Sequence, residues 1–268
     1  MHGHLAIRDM RPTLNSGVRS EYLNLPKDLR ILTRCFGIAL PAQARHDATV
    51  LIFSIECLDR HLDVIPGREG RARFSAAVLA SLNGEARSTD CGGLPPELRG
   101  WLTRLEEVAA RCKASRRFCL IAADLLSNSE TMRTTRDSEC YIGCAVREGG
   151  WIVELLLLVI GRNTTPGFDQ FMRRLAGPAN LVDKLRDAKV DYAHGEIGIR
   201  PTVWFRWRLS CAMLRRTLLL ARFCMGNATL LRWGIQSVWT ELIRFGNSEI
   251  RSRSDCGQIG RASCRERV

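Results

Sequence analysis

Apolar residues recur along this chain at spacings of three and four, without the strict alternation of a half-buried strand. The pattern predicts helices almost throughout. Residues 26–40 place Leu29, Leu32, Phe36 and Leu40 on one face, and Pro41 should end the segment. A second helix is expected over 43–64, built on the apolar run from Val50 to Leu58 and stopped by Pro66-Gly67. Residues 74–82 read as a short amphipathic helix, and 83–96 as a loop rich in Gly, Ser and Asp. Residues 96–126 read as one or two helices with Leu98, Trp101, Leu102, Leu105 and Val108 inward and arginines 99, 104, 111, 116 and 117 on a solvated face, up to a break at Ser127-Asn128-Ser129. The leucine-rich run 151–160 is followed by a turn over 161–167. A helix over 168–192 then ends at His194-Gly195, with Gly in the usual stop position. Two more helices are expected over 204–225 and 228–245.

This pattern predicts an all-α, single-domain helical bundle over residues 26–250. Residues 1–25 are polar and irregular and are expected to be poorly ordered, with an irregular tail over 251–268. The last ten residues, 259–268, resemble a translated sequencing adapter; they carry three Arg and one Glu, and Cys264, and are set aside from fold reasoning.

Composition narrows the class. The chain has 268 residues, 46% of them hydrophobic, enough for one sizeable core. The formal charge of +12 suits phosphorylated substrates, anionic lipid or nucleic acid. The arginines are scattered and no nucleic-acid motif appears, so diphosphates and an anionic membrane surface are favoured over nucleic acid. Eleven cysteines form no Cys-x-x-Cys pair, which points to reduced, packed thiols rather than a disulfide framework or a zinc site. No secretory signal is visible and the most apolar run, 151–160, is too short to span a bilayer and carries Glu154. A cytoplasmic protein is expected, with peripheral contact at the inner membrane face as its membrane option.

The chemistry gathers in two aspartate stretches. Asp183, Asp187 and Asp191 sit at strict four-residue spacing, one stripe of roughly 12 Å on a helix. Like charges so placed repel by about 0.2–0.5 kcal/mol per pair. The stripe is either a solvated face neutralised by Lys184, Arg186 and Lys189 or a holder of oxygen-seeking cations, with Mg²⁺ bridging to phosphate the usual case. Upstream, Asp59 and Asp63 repeat the spacing. Two such pairs on facing helices could hold metal between them.

These stretches resemble the squalene/phytoene synthase family. Asn180, Asp183, Asp187, Asp191, Gly195 and Pro201 fall in the order of the family's second aspartate motif, and the Leu185-Arg186-Asp187 triplet matches. Tyr141, followed by Gly143, Ala145, Gly149 and Gly150 and an apolar run, is similar to a further family segment, with its acidic position at Glu139. The resemblance implies a bundle of the isoprenoid synthase type with a central apolar cavity. It implies a prenyl transferase that ionises farnesyl or geranylgeranyl diphosphate and joins two head to head. Asp59, Asp63, Asp183, Asp187 and Asp191 would be the metal-binding carboxylates, the first four catalytic. Tyr141, Asn180 and Arg186 would bind substrate, with Lys184 a further phosphate contact. Mg²⁺ is the implied cofactor; NADPH use is undecided. Phe53, Phe171 and Tyr141 could line the cavity, with core packing the default for the two Phe. His61 and His194 are polar neighbours of the motifs rather than catalytic groups.

The family's aromatic start segment is absent, and the gap from Gly195 to Pro201 is about one residue longer than the family's. Other readings therefore stand beside the first: a terpene cyclase or head-to-tail synthase of the same fold, a non-catalytic helical relative that binds a partner or membrane, and a basic RNA- or lipid-binding helical protein. Leu58 before Asp59 counts against the cyclase and the head-to-tail synthase, whose first motifs start with adjacent aspartates.

Overall fold

The computed structural model describes residues 20–84 and 94–236, and among them every regular element is helical. In chain order these are α1 (Ser20–Cys35), α2 (Ala42–Asp63), α3 (Arg68–Leu82), α4 (Pro96–Arg111), α5 (Ser115–Thr134), α6 (Ser138–Ile160), a 3₁₀ turn (Gly161–Asn163), α7 (Pro166–His194) and α8 (Val203–Cys224). Residues 228–236 are also helical. The chain divides into two compact units between Leu220 and Ala221, and the candidate site belongs to the first.

Local chemistry sets the ends. Asp137 caps α6, its carboxylate accepting from the backbone N–H of Glu139 at 3.2 Å and Cys140 at 3.0 Å. Thr165 does the same for α7 through Phe168 N–H, with Pro166 opening the helix. Gly195, at φ 76°, ends α7 in a left-handed turn. There Glu196 N–H reaches Asp191 O at 2.7 Å and Gly195 N–H reaches Tyr192 O at 3.2 Å, the paired bonds of a Schellman stop.

Helix α6 is the centre of the first unit. It packs on α2, α5 and α7, most extensively on α7. Gly149 makes that approach possible, because a Cβ there would lie 2.4 Å from Ala176 O. The core beneath contains Met132, Tyr141, Ile142, Cys144, Leu181 and Ala188, closed by Ile197 and Ile199 of the following loop and by Phe205 and Leu209 of α8. Burying side chains of this size contributes about 1.5–3 kcal/mol each. The loop is pinned to the end of α5: Gly198 N–H donates to Met132 O at 3.1 Å, and a Cβ on Gly198 would meet Thr135 O at 2.5 Å.

Several expected boundaries move. Residues 20–25, read as irregular, are helical, and α1 ends at Cys35, so Phe36 and Leu40 lie beyond it. The helix expected from 74 begins at Arg68. The expected break at Ser127-Asn128-Ser129 is continuous helix. Its polar residues serve packing: Asn128 is buried and donates to Cys144 O at 3.0 Å. The true interruption is at 112–114, where Lys113 takes φ 53°. The expectations for residues 1–19, 237–245 and 251–268 lie outside the described residues.

Candidate functional site

Three helices bring acids together. Helix α7 supplies Asp183, Lys184, Asp187 and Asp191; α6 supplies Tyr141 and Glu148; α2 supplies Asp59. Lys184 is the hub. Its Nζ lies 3.1 Å from Glu148 Oε2, with the two side chains only 20% and 16% exposed. Desolvation alone would lower the Lys184 pKa. The carboxylates Glu148, Asp59 and Asp183, together with the weakly acidic Tyr141, outweigh it and hold the ammonium well above its ordinary range. Asp59 of the first motif and Asp183 of the second therefore both act electrostatically on one half-buried cation.

Asn180 completes the hub from one turn earlier on α7. Its amide donates to Glu148 Oε2 at 2.8 Å and to Ala145 O at 2.7 Å. Tyr141 stands beside it with no exposed surface, edge-on to Phe205 at 5.4 Å between ring centroids. Its hydroxyl is buried and finds no hydrogen-bond partner among the described residues. Desolvation, then the acids Asp191, Glu148 and Asp183 working against Lys184, raise its pKa.

The aspartate stripe is not equivalent along its length. Arg186 grips the first two members, donating to Asp183 Oδ1 at 2.5 Å and to both oxygens of Asp187 at 2.9 and 2.7 Å. Asp183 keeps 46% of its side chain accessible, yet desolvation by surrounding protein raises its pKa. Asp191 is pushed up to about 7, by desolvation first and then by Glu196, Asp187 and Asp183 against the pull of Lys184.

Asp63 does not share this hub in the same way. Arg133 of α5 donates to its Oδ1 at 2.5 Å, the two side chains 6% and 12% exposed, so Asp63 clamps α2 to α5. Glu139, taken as the family's acidic position, is exposed and paired with Arg208. The acid that α6 turns to the site is Glu148, two helical turns after Tyr141; the buried acids among the described residues are Glu56, within an apolar run, and Asp47, paired with Arg111. Spacing from Tyr141 marks Glu148 only once α6 is known to be unbroken. Phe53 packs on Trp101 and Phe171 on Phe36, as core side chains. His61 and His194 each lie near a glutamate, Glu97 and Glu196 respectively.

Among the described residues, the aspartates do not form a three-ligand group with all donor atoms within 4.8 Å; Cys57, His61 and Glu97 do. No helix among the described residues is long and apolar enough to cross a membrane. Comparisons with protein-family models, with curated proteins and with solved structures found no match.

Proposed function

We propose that the chain is a Mg²⁺-dependent prenyl transferase of the squalene/phytoene synthase type, which ionises allylic prenyl diphosphates and joins two of them head to head. An isoprenoid synthase bundle with a central apolar cavity is part of the same proposal. One observation carries it: the Lys184 ammonium, 3.1 Å from Glu148 Oε2 of α6, is also within electrostatic reach of Asp59 of α2 and Asp183 of α7.

The donor set suits a hard cation. Asp59, Asp183, Asp187 and Asp191 would hold Mg²⁺, which when bound supplies positive charge for a diphosphate leaving group. Asp63 contributes through its Arg133 clamp, by fixing the end of α2. Lys184 and Arg186 are the nearby cations for phosphate oxygens. Asn180 holds Glu148 in place, a positioning role rather than a direct substrate contact. Substrates would be farnesyl or geranylgeranyl diphosphate, with NADPH use open. A cytoplasmic location with peripheral membrane contact fits lipidic substrates.

A second reading, a non-catalytic helical relative, draws on Arg133 and Arg186, which already neutralise Asp63, Asp183 and Asp187 without metal. The two separate in one assay. Diphosphate release from farnesyl and geranylgeranyl diphosphate with Mg²⁺ is measured for the wild type and Asp183→Ala/Asp187→Ala, and lipid products are identified. Release by the wild type alone, with a symmetric product, supports the transferase. Folded wild-type protein that releases nothing supports the second reading.

A further inference from the structure

On the side of α2 roughly opposite Asp59 and Asp63, Cys57 and His61 stand one helical turn apart and face Glu97 in the first turn of α4. One donor atom from each, Sγ, an imidazole nitrogen and a carboxylate oxygen, lie within 4.8 Å of one another. We propose that Cys57, His61 and Glu97 form a binding site for a thiophilic divalent transition metal, Zn²⁺ above all, between α2 and α4.

The donor types decide the metal. Thiolate and imidazole are softer than the carboxylate oxygens that suit Mg²⁺, and a sulfur, a nitrogen and an oxygen together match zinc. A tetrahedral ion needs its donors about 3.5 Å apart, so the present spread closes by about 1 Å, within the reach of small side-chain rotations. Among the described residues His61 Nε2 is buried and makes no hydrogen bond; Glu97 Oε2 is 4.0 Å away, too far for one. A buried ring nitrogen left in that state is a costly feature for structure alone. Cys57 is 1% exposed, while Glu97 keeps half of its side chain in solvent and gives an ion a way in.

Arg60 fits the scheme as an outer partner. Its Nη2 donates to Glu97 Oε1 at 2.8 Å and lies 3.9 Å from Cys57 Sγ. Oε1 is thus held while Oε2, the oxygen turned to His61, is free to bind metal. Thiolate and carboxylate neutralise the ion, and the Cys57 thiol proton leaves to solvent on binding. Three protein donors leave a fourth position for water, the arrangement of an open zinc site. The site stands apart from the aspartate hub and does not depend on its function.

The test uses Co²⁺ as a spectroscopic substitute, with Zn²⁺ as competitor, on the full chain. One equivalent of Co²⁺ should give a thiolate-to-metal charge-transfer band and the visible bands of tetrahedral cobalt, both erased by Zn²⁺. Glu97→Ala alters a half-exposed side chain and keeps the fold, which circular dichroism checks. It and His61→Ala should each weaken binding by more than the ~10–100-fold that loss of an outer partner costs. Cys57→Ser should remove the charge-transfer band. The proposal is overturned by absence of that band at saturating Co²⁺. It is equally overturned by a band that survives Cys57→Ser, or by wild-type affinity in Glu97→Ala and His61→Ala.

Discussion

Replacing Lys184 with Met isolates the interaction on which the site is built. The side chain keeps its length and loses its charge, leaving Glu148 with the Asn180 amide as a donor. At 3.1 Å and an effective dielectric of about 20, the lost attraction is about 5 kcal/mol before desolvation is counted. Stranding one partner of a buried pair costs about 3–5 kcal/mol; some solvent reaches both groups here and Asn180 still donates, so the lower end, about 3 kcal/mol, is expected. Removing Glu148 as well, in Glu148→Gln/Lys184→Met, eliminates the stranded charge. The double variant should recover about 2 kcal/mol of that loss, a coupling typical of contacting residues. Urea unfolding followed by circular dichroism measures all four corners of the cycle. A Lys184→Met cost under about 0.5 kcal/mol, the scale of an ordinary surface change, would refute the hub. So would a double variant no more stable than the single.

Two further outcomes are expected. Gly149→Ala places a Cβ 2.4 Å from the Ala176 carbonyl oxygen, so α6 and α7 must separate; a loss of about 1–3 kcal/mol should appear as a lowered Tm, whereas Gly150→Ala, with nothing within 4 Å, should be nearly neutral. Asp191, pushed up to about 7 in the fold against about 4 when unfolded, binds a proton in the native state first. Its contribution is fully present below about pH 4 and is lost as pH rises through about 7, so metal-free wild type should lose stability over that window relative to Asp191→Asn in paired urea titrations; parallel curves would show that burial and the neighbouring Glu196, Asp187 and Asp183 do not raise it.

What could be read in advance follows from distance along the chain. The helices are written in three- and four-residue apolar spacing, and the Asp183-Asp187-Asp191 stripe needs only one helix to be seen. Gly195 announces its own turn because few other residues take positive φ without strain. Lys113 takes the same region without that signal, so the break between α4 and α5 was hidden. Ser127, Asn128 and Ser129 have the composition of a loop, but Asn128 spends its polarity across the α5–α6 contact. Glu148 had no meaning until Gly149 let α7 close on α6 and brought Lys184 within 3.1 Å. The Arg133–Asp63 clamp joins residues 70 apart in sequence, which no local pattern encodes.

We propose that the two aspartate motifs serve one diphosphate site. The direct measurement is calorimetric titration of inorganic diphosphate, with and without Mg²⁺, into wild type, Asp59→Asn, Asp183→Asn and the double variant. Mg²⁺ should tighten wild-type binding, each single variant should lose most of that gain, and the double should lose little more than either single. Asp59→Asn with undiminished Mg²⁺-dependent affinity, or wild type indifferent to Mg²⁺, would contradict the claim.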